Sequence, residues 1–224
     1  MQISDKPCKQ TTETRQAGLI EAALKLAAQR SPSDITTTDL AQAVGITQGA
    51  IFKHFASKEA LWLATMDWIS STLMERLKTA AALSDWTSLV AKPGQATPLA
   101  APRALAALQA VFMAHVGFVT ENPGVPRLIF QELQHAQETA LKARVRQLMQ
   151  HYRQLMLQLL TQAQAEHTID PHLNLQAAAV LFIGSVQGLV MQSLVSGNIA
   201  NMTQQAAGVF ALYQRGLQVC NPSS

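Results

Sequence analysis

The sequence predicts an all-α protein of about nine helices arranged in two domains, and two observations support that prediction. Hydrophobic residues make up 48% of the 224 residues while aromatic residues make up only 5%, and the apolar content is mostly Ala, Leu, Val and Met, which favour helix over strand. Apolar residues also recur at spacings of three and four in segments that are separated by Gly and Pro. A chain of this length can bury two small helical cores.

A first amphipathic helix is predicted over residues 14–30. Its apolar face is made of Leu19, Ile20, Ala23, Leu24, Ala27 and Ala28. The helix stops at Ser31-Pro32-Ser33-Asp34, because Pro32 lacks an amide hydrogen and disfavours helical geometry in the residue before it. Further along, Ser57 is placed to cap a long fourth helix that runs through Leu77.

Two short helices with a tight turn between them are predicted between the first and the fourth helix. The second helix, over 39–44, begins behind a threonine cap. The candidates for that cap are Thr36, Thr37 and Thr38. Gly45 ends the helix, because a left-handed backbone is accessible at little cost only to glycine. Thr47 then caps a third helix over 48–54, so the spacing predicts a three-helix helix-turn-helix domain over residues 12–60.

Proline and glycine divide the rest of the chain, residues 61–220, which we expect to form a helical regulatory domain. Residues 84–102 are predicted to be a connection, since Pro93-Gly94, Pro98 and Pro102 are spaced too closely for a continuous helix. The helices predicted after it cover residues 103–121, 127–135, 138–166, 173–196 and 202–218.

Charge and cysteine usage exclude several classes of protein. The net charge is +3, but residues 1–60 hold seven Lys and Arg against six Asp and Glu, so no broad basic face is expected. Cys8 and Cys220 provide neither a disulfide framework nor paired metal ligands, and we expect no cofactor and no metal. A polar N-terminus without a signal-peptide pattern favours a reducing, cytoplasmic location.

No catalytic residue can be named. The sequence has no His-Glu-x-x-His, no glycine-rich phosphate loop and no nucleophile elbow, and its six histidines lack metal-ligand spacing. An enzyme is therefore the weaker hypothesis, and activity on a substrate without DNA binding would favour it.

The third helix has the outer face of a DNA-recognition helix. With its apolar side turned inward, it presents Thr47, Gln48, Gly49, Ala50, Phe52, Lys53 and His54. Gln48 can pair with a base edge, and Lys53 can reach a phosphate or a guanine. Helix N-termini and a cation suited to phosphates are supplied by Thr37, Thr38 and Lys58. The alternative is a three-helix fold with a tight turn and no DNA role.

Residues 14–63 resemble the DNA-binding domain of the TetR/AcrR family of bacterial transcriptional regulators. The resemblance lies in the Ala-x-x-x-Gly-Ile-Thr turn, from Ala41 to Thr47, and in the Phe-x-x-Phe-x-x-Ser-Lys-Glu-Ala-Leu run that starts at Phe52. Many relatives carry Tyr where this chain has Phe52, and that hydroxyl often bonds a phosphate. The resemblance implies a homodimeric repressor that reads a palindromic operator in double-stranded DNA and is released by a small-molecule inducer.

The regulatory domain offers candidates for pairing two subunits. The apolar segment 177–191 falls short of a membrane span, and Gly184 and Gly188 lie one turn apart on it, so a partner backbone could approach closely. The predicted dimer residues are Val180, Gly184, Gly188, Met191, Phe210 and Tyr213. The alternative is that the two glycines pack within one subunit.

A ligand pocket is expected between the middle helices. Its predicted residues are Phe112, His115, Phe118, Arg127, Gln131 and Tyr152. For His115 a satisfied core histidine is the competing interpretation, and for Arg127 it is an ion pair with Glu132. The alternative function is a dimeric DNA-binding regulator that has no small-molecule ligand and is controlled by a protein partner.

Overall fold

The computed structural model describes residues 12–87 and 103–218, and every regular element within them is helical. The predicted all-α class and nine-helix count are confirmed over these residues. Cys8, Cys220 and most of the predicted 84–102 connection lie outside them. The α-helices are α1 Thr12–Ala27, α2 Thr37–Ala43, α3 Gln48–Ile51, α4 Lys58–Thr87, α5 Arg103–Glu121, α6 Gly124–Leu133, α7 Ala140–Ala165, α8 Leu175–Ser196 and α9 Ala200–Leu217, with a 3₁₀ turn at Pro32–Asp34.

Several helix boundaries differ from the predictions, and two of them have clear local reasons. Helix α3 ends at Ile51 instead of residue 54, because the amides of Lys53 and His54 form tighter bonds that span three residues, such as His54 N to Ile51 O at 2.8 Å. Helix α6 begins at Gly124 instead of residue 127. Pro123 precedes it as the N-cap, a region where a proline disturbs no helical hydrogen bond.

The described chain divides into two compact units. The first comprises the residues up to Trp68 together with Pro123–Arg144, and the second comprises Ile69–Asn122 and the residues from Val145 onward. The predicted boundary at residues 60/61 separates the helix-turn-helix from everything after it. The first unit also includes α6, which that boundary assigns to the second domain. The assignment of residues 61–220 to a regulatory domain stays a prediction.

In the first unit, α6 packs on α1 with backbone touching backbone. A Cβ atom added at Gly124 would lie 2.1 Å from the carbonyl oxygen of Leu24 and 3.0 Å from the amide nitrogen of Ala28. Val125 and Leu128 are buried on the same helix. Only glycine allows this approach, since even one methyl group would overlap the α1 backbone.

The core of the second unit is a cluster of aromatic rings. Phe112 lies edge-on to Phe182 with ring centroids 5.4 Å apart, and Phe182 lies edge-on to Tyr213 at 5.3 Å. Such edge-to-face pairs are favourable beyond the area they bury. The hydroxyl of Tyr213 donates to the carbonyl oxygen of Ala178 at 3.1 Å, so its polar end is satisfied.

Two helices of the second unit, α5 and α8, are long and apolar enough to cross a membrane by length and composition. The apolar segment 177–191, which was predicted to fall short of a span, lies within α8, whose full length is 22 residues. Both helices contribute buried residues to the unit, among them Phe112 on α5 and Phe182 on α8. This is the behaviour of core helices in a folded domain, which pass the same test.

Candidate nucleic-acid interface

Helix α2 starts at a complete capping box. The hydroxyl oxygen of Thr36 accepts from the amide of Asp39 at 3.1 Å, and the Asp39 carboxylate accepts from the amide of Thr36 at 2.7 Å. Hydrogen bonds from the hydroxyl and the amide of Thr36, and one from Arg30, lower the pKa of Asp39 to about 2. Thr36 is thus the cap among the three candidates. The first-turn amides of Thr37 and Thr38 are not used by the box.

The turn between α2 and α3 depends on Gly45. Its φ of +69° is left-handed, and it allows the amide of Ile46 to reach back to the carbonyl oxygen of Ala41 at 2.9 Å. Together with the bond from Gly45 N to Gln42 O, this closes a Schellman motif. Leu40 and Ile51 are buried on either side of the turn, so α3 is held with one face inward.

The other face of α3 and of the turn that follows it is accessible. Its exposed residues are Thr47, Gln48, Gly49, Phe52 and Lys53. The side-chain amide of Gln48 donates to the hydroxyl oxygen of Thr37 on α2 at 2.7 Å, which orients the glutamine on the surface. The predicted recognition face is therefore available to a partner, although its DNA contacts stay predictions.

Four of the predicted DNA contacts are less exposed than expected. Thr37, Ala50, His54 and Lys58 are half-buried. The carbonyl oxygen of His54 accepts from the side chain of Gln16 at 2.9 Å, and its ring Nδ1 is buried with no hydrogen-bond partner among the residues that the structure describes. The tighter turn after Ile51 thus brings the His54 carbonyl to α1, which the continuous helix predicted over 48–54 did not anticipate.

Lys58 lies at the first position of α4. Ser57 caps that helix, since its hydroxyl oxygen accepts from the amide of Ala60 at 3.0 Å, which confirms the predicted cap. The ammonium group of Lys58 donates to the carbonyl oxygen of Ser33 at 3.2 Å. A lysine ammonium has three hydrogens, so two remain for other acceptors such as phosphate oxygens.

The six predicted ligand contacts do not form one set. Phe112, His115, Phe118 and Tyr152 are buried in the second unit. Arg127 and Gln131, on α6, belong to the first unit, where Arg127 is exposed. Gln131 accepts from the hydroxyl of Ser31 at 2.8 Å. This bond attaches Gln131 to the 3₁₀ turn of the first unit, and its role as a pocket residue stays a prediction. Glu132, the suggested partner of Arg127, instead accepts from the hydroxyl of Thr139.

The four buried residues of the predicted ligand set, Phe112, His115, Phe118 and Tyr152, include one polar pair. His115 Nδ1 and the hydroxyl of Tyr152 are 2.9 Å apart, and the His115 ring lies edge-on to that of Tyr152. Burial lowers the pKa of His115 to about 4, so the ring is neutral at pH 7. Burial, with a smaller effect of Tyr213, raises the pKa of Tyr152 far above its usual value. The pair is therefore an uncharged hydrogen bond within an aromatic core.

The predicted dimer residues separate into two groups. Val180, Gly184, Gly188 and Met191 form an exposed stripe on α8, whereas Phe210 and Tyr213 are buried in the subunit. For these last two the prediction is wrong, because α9 turns its aromatic residues toward α5 and α8. Two large exposed apolar residues of α8 were missed: Leu181 and Val195. Leu181 and Val195 continue the helical spacing of the stripe, which was a usable signal.

Comparisons with known proteins agree with this architecture. Residues 19–65 match the family model for bacterial regulatory proteins of the tetR family, and residues 129–209 match the model for a tetracyclin repressor-like C-terminal domain. Together the two models cover more than half of the chain. The chain belongs to the TetR family. This TetR-family protein is a DNA-binding transcriptional regulator, as the N-terminal model and the helix-turn-helix geometry agree.

Individual relatives of this TetR-family regulator are distant. It is 19% identical over 176 residues to the nucleoid occlusion factor SlmA of Marinomonas sp., covering 79% of this chain and 81% of that protein. It is 26% identical over 154 residues to SlmA of Escherichia coli, covering 68% of this chain and 69% of that protein.

No group of three or more His, Cys, Asp or Glu side chains placed to hold a metal occurs within residues 12–87 and 103–218.

Solved structures share the fold of the TetR-family chain. The transcriptional regulator FadR of Bacillus subtilis, in complex with stearoyl-CoA, has a TM-score of 0.69 at 17% identity, covering 90% of this chain and 99% of that one. A TetR regulator of Haloarcula marismortui has a TM-score of 0.72 at 12% identity, covering 92% and 98%. At these identities the likeness establishes the fold alone.

Proposed function

We propose that the protein is a homodimeric repressor that reads a palindromic operator and is released from it by a small molecule. The observation that carries the proposal is the exposed face of α3, which the capping box at Thr36 and the turn at Gly45 hold outward. In the proposal Gln48 contacts a base edge, Lys53 a phosphate or a guanine, and Lys58 a phosphate.

The homodimer part is supported by the exposed apolar surface of α8 and α9. Val195 is 77% exposed, Leu212 67% and Leu181 56%, a concentration that is typical of surfaces covered by a partner. Gly184 and Gly188 lie between them, and added Cβ atoms there would meet nothing within 4 Å, so a second helix could approach closely. A two-fold dimer presents two recognition helices, which matches a palindromic site. In this proposal the protein acts in the cytoplasm, where it meets its operator.

The ligand part is supported by the chemistry of the second unit. Ligand sites are typically apolar with a few placed polar groups, and His115 and Tyr152 are such groups among Phe112 and Phe118. FadR of Bacillus subtilis, a relative in fold, is described in complex with stearoyl-CoA. We propose these four residues as the ligand-responsive set of a regulator that acts by binding and has no catalytic role.

A second candidate is a nucleoid occlusion factor controlled by a protein partner. The likeness to SlmA proteins of Marinomonas sp. and Escherichia coli favours it. Complete burial of Phe112 and Tyr152 also favours it, because a packed core offers a small molecule no ready space. Septa that form across the nucleoid in cells lacking the protein, with no small molecule releasing it from DNA, would support this candidate over the first.

The DNA-binding roles are tested with two substitutions of different expected character. Genomic footprinting of the purified protein first supplies the operator. Lys58→Ala should then weaken binding to every duplex and reduce the slope of log affinity against log salt by about 1. Gln48→Ala should cost about 1–3 kcal/mol at particular base pairs only.

Matched controls lie in the same unit. Lys25→Ala removes an exposed lysine that pairs with Glu21 on α1, and Gln42→Ala removes an exposed glutamine of α2. Both should leave affinity and salt dependence unchanged. Equal effects of Lys58→Ala and Gln48→Ala on all sequences would contradict the assigned roles, and no binding to duplex DNA at low salt would contradict the whole proposal.

A further inference from the structure

Three separate segments of the first unit meet at the 3₁₀ turn between α1 and α2. Ser31 and Ser33 belong to the turn, Gln131 to α6 and Lys58 to the start of α4. The side-chain oxygen of Gln131 accepts from the Ser31 hydroxyl at 2.8 Å and from the Ser33 amide at 3.4 Å. On the other side of the same residue, the Ser33 carbonyl oxygen accepts from the Lys58 ammonium at 3.2 Å. One turn thus connects α6 to Lys58.

Gln131 accepts both of these hydrogen bonds. Their donors belong to Ser31 and Ser33, whose side chains are exposed, while Pro32 between them is buried. Bonds from Gln131 to both ends of the Ser31–Ser33 segment restrict the orientation of Ser33, and hence the direction of its carbonyl oxygen.

Gln131 itself stands on a fixed support. Helix α6 rests against the α1 backbone at Gly124, without room for a single methyl group, and buries Leu128 one turn before Gln131. The acceptor oxygen is therefore held by packing as well as by its two hydrogen bonds. Lys58 is flexible by comparison, with four rotatable bonds between its backbone and its charge, so a fixed acceptor can select among its rotamers.

We propose that Gln131 is a positioning residue for DNA binding, which acts through the Ser33 carbonyl to hold the Lys58 ammonium where a phosphate can reach it. The inference rests on the phosphate contact proposed for Lys58 above. It gives α6 a polar connection, through Ser33, to the DNA-binding surface.

A double-mutant cycle on the full-length protein with operator DNA tests the proposal. Gln131→Ala should lower affinity about two- to five-fold for every duplex and flatten the salt dependence as Lys58→Ala does, because an ordered charge becomes disordered. In the Lys58→Ala background the same change should have no further effect. Gln131→Glu keeps the acceptor oxygen and should restore binding, and Gln134→Ala, an exposed glutamine at the end of α6, is the matched control.

The outcomes separate this inference from the function it rests on. If Lys58→Ala leaves binding unchanged, the phosphate contact is wrong and the positioning role falls with it. If Lys58→Ala weakens binding but Gln131→Ala does not, the positioning role alone is overturned. A loss with Gln131→Ala that persists in the Lys58→Ala background, or that follows a lower melting temperature, also overturns it, because the residue then acts through stability.

Discussion

The two compact units differ in the groups that carry their proposed contacts. In the first unit these groups are polar side chains near the surface, where Thr36 and Asp39 cap a helix and Gln48 is oriented by Thr37. In the second unit a histidine–tyrosine pair is inside the core, while large apolar side chains such as Leu181 are outside. The first surface suits a charged, hydrated polymer, and the second suits an apolar protein surface.

This difference determines how each unit should respond to conditions. Contacts of Lys and polar groups with phosphates weaken with salt, whereas burial of apolar area does not. Protonation should likewise affect the units in different pH ranges, since His115 is buried in one and Asp39 is exposed in the other. The predictions below test these differences, beginning with the largest expected effect.

The largest effect is expected from a charge in the apolar face of α8. Leu181→Asp should weaken the proposed dimer by about 100-fold or more, because each subunit would bury an unpaired carboxylate at the interface; this corresponds to about 3 kcal/mol. Sedimentation velocity over a concentration series measures it. Leu133→Asp is the control, since Leu133 is similarly exposed on α6 in the first unit. If Leu181→Asp weakens the dimer no more than Leu133→Asp does, the exposed face of α8 is not the protein-binding surface.

The next largest effect is expected on the stability of the protein when the pH is lowered. His115 has a pKa of about 4 in the folded protein against 6.5 for an exposed histidine, so the unfolded chain takes up a proton at higher pH than the folded one. The contribution of His115 to stability is therefore complete above pH 6.5 and is lost as pH falls from 6.5 toward 4. The loss approaches about 3 kcal/mol. Denaturant unfolding at several pH values measures it, and His115→Gln should remove that dependence.

Asp39 provides the internal comparison for the acid prediction. Its pKa of about 2 lies below the ordinary 3.8, so its contribution is present above pH 3.8 and is lost only as pH falls from there toward 2. Asp39→Asn should therefore leave the profile between pH 6.5 and 4 unchanged. A shift of that part of the profile by Asp39→Asn, or none by His115→Gln, would contradict the assignment of the two pH ranges.

The smallest effect is expected at Phe52, whose ring is 49% exposed at the end of α3. Phe52→Tyr adds the hydroxyl that many family members carry at this position, and it should strengthen binding to all duplexes a few-fold, about 1 kcal/mol for one further phosphate hydrogen bond. Fluorescence anisotropy with operator and unrelated DNA measures the change. If the gain were confined to a few base pairs, the ring would be a base contact instead.

The helix-turn-helix was predictable because its signals are local. Gly45 marks a left-handed position, Ser57 a cap, and the apolar spacing around Leu40 and Ile51 an inner face, and each of these depends on only a few neighbouring residues. Helix α5 was likewise predicted with both of its ends, Arg103 and Glu121, for the same reason.

The remaining features depend on tertiary packing. The apolar spacing of α9 places Phe210 and Tyr213 on one face, but it does not determine whether that face packs within the subunit or against a second one; the structure buries both residues within the subunit. Gln131 bonds to a residue one hundred positions earlier in the chain, and no local pattern indicates that contact. Most of the recognition surface was therefore predictable from sequence, whereas the dimer face was predictable only in part.

The close approach at Gly124 has a practical consequence for hybrid regulators. The α6 backbone lies directly on α1. A DNA-binding domain transplanted with its boundary at residue 60 would therefore contain α1 but lack α6, the helix that packs on it. A graft that carries Pro123–Arg144 together with the segment ending at Trp68 preserves that seat. Recombination between relatives is constrained in the same way, since a recipient with a residue larger than glycine at the position of Gly124 could not pack against the transplanted α1.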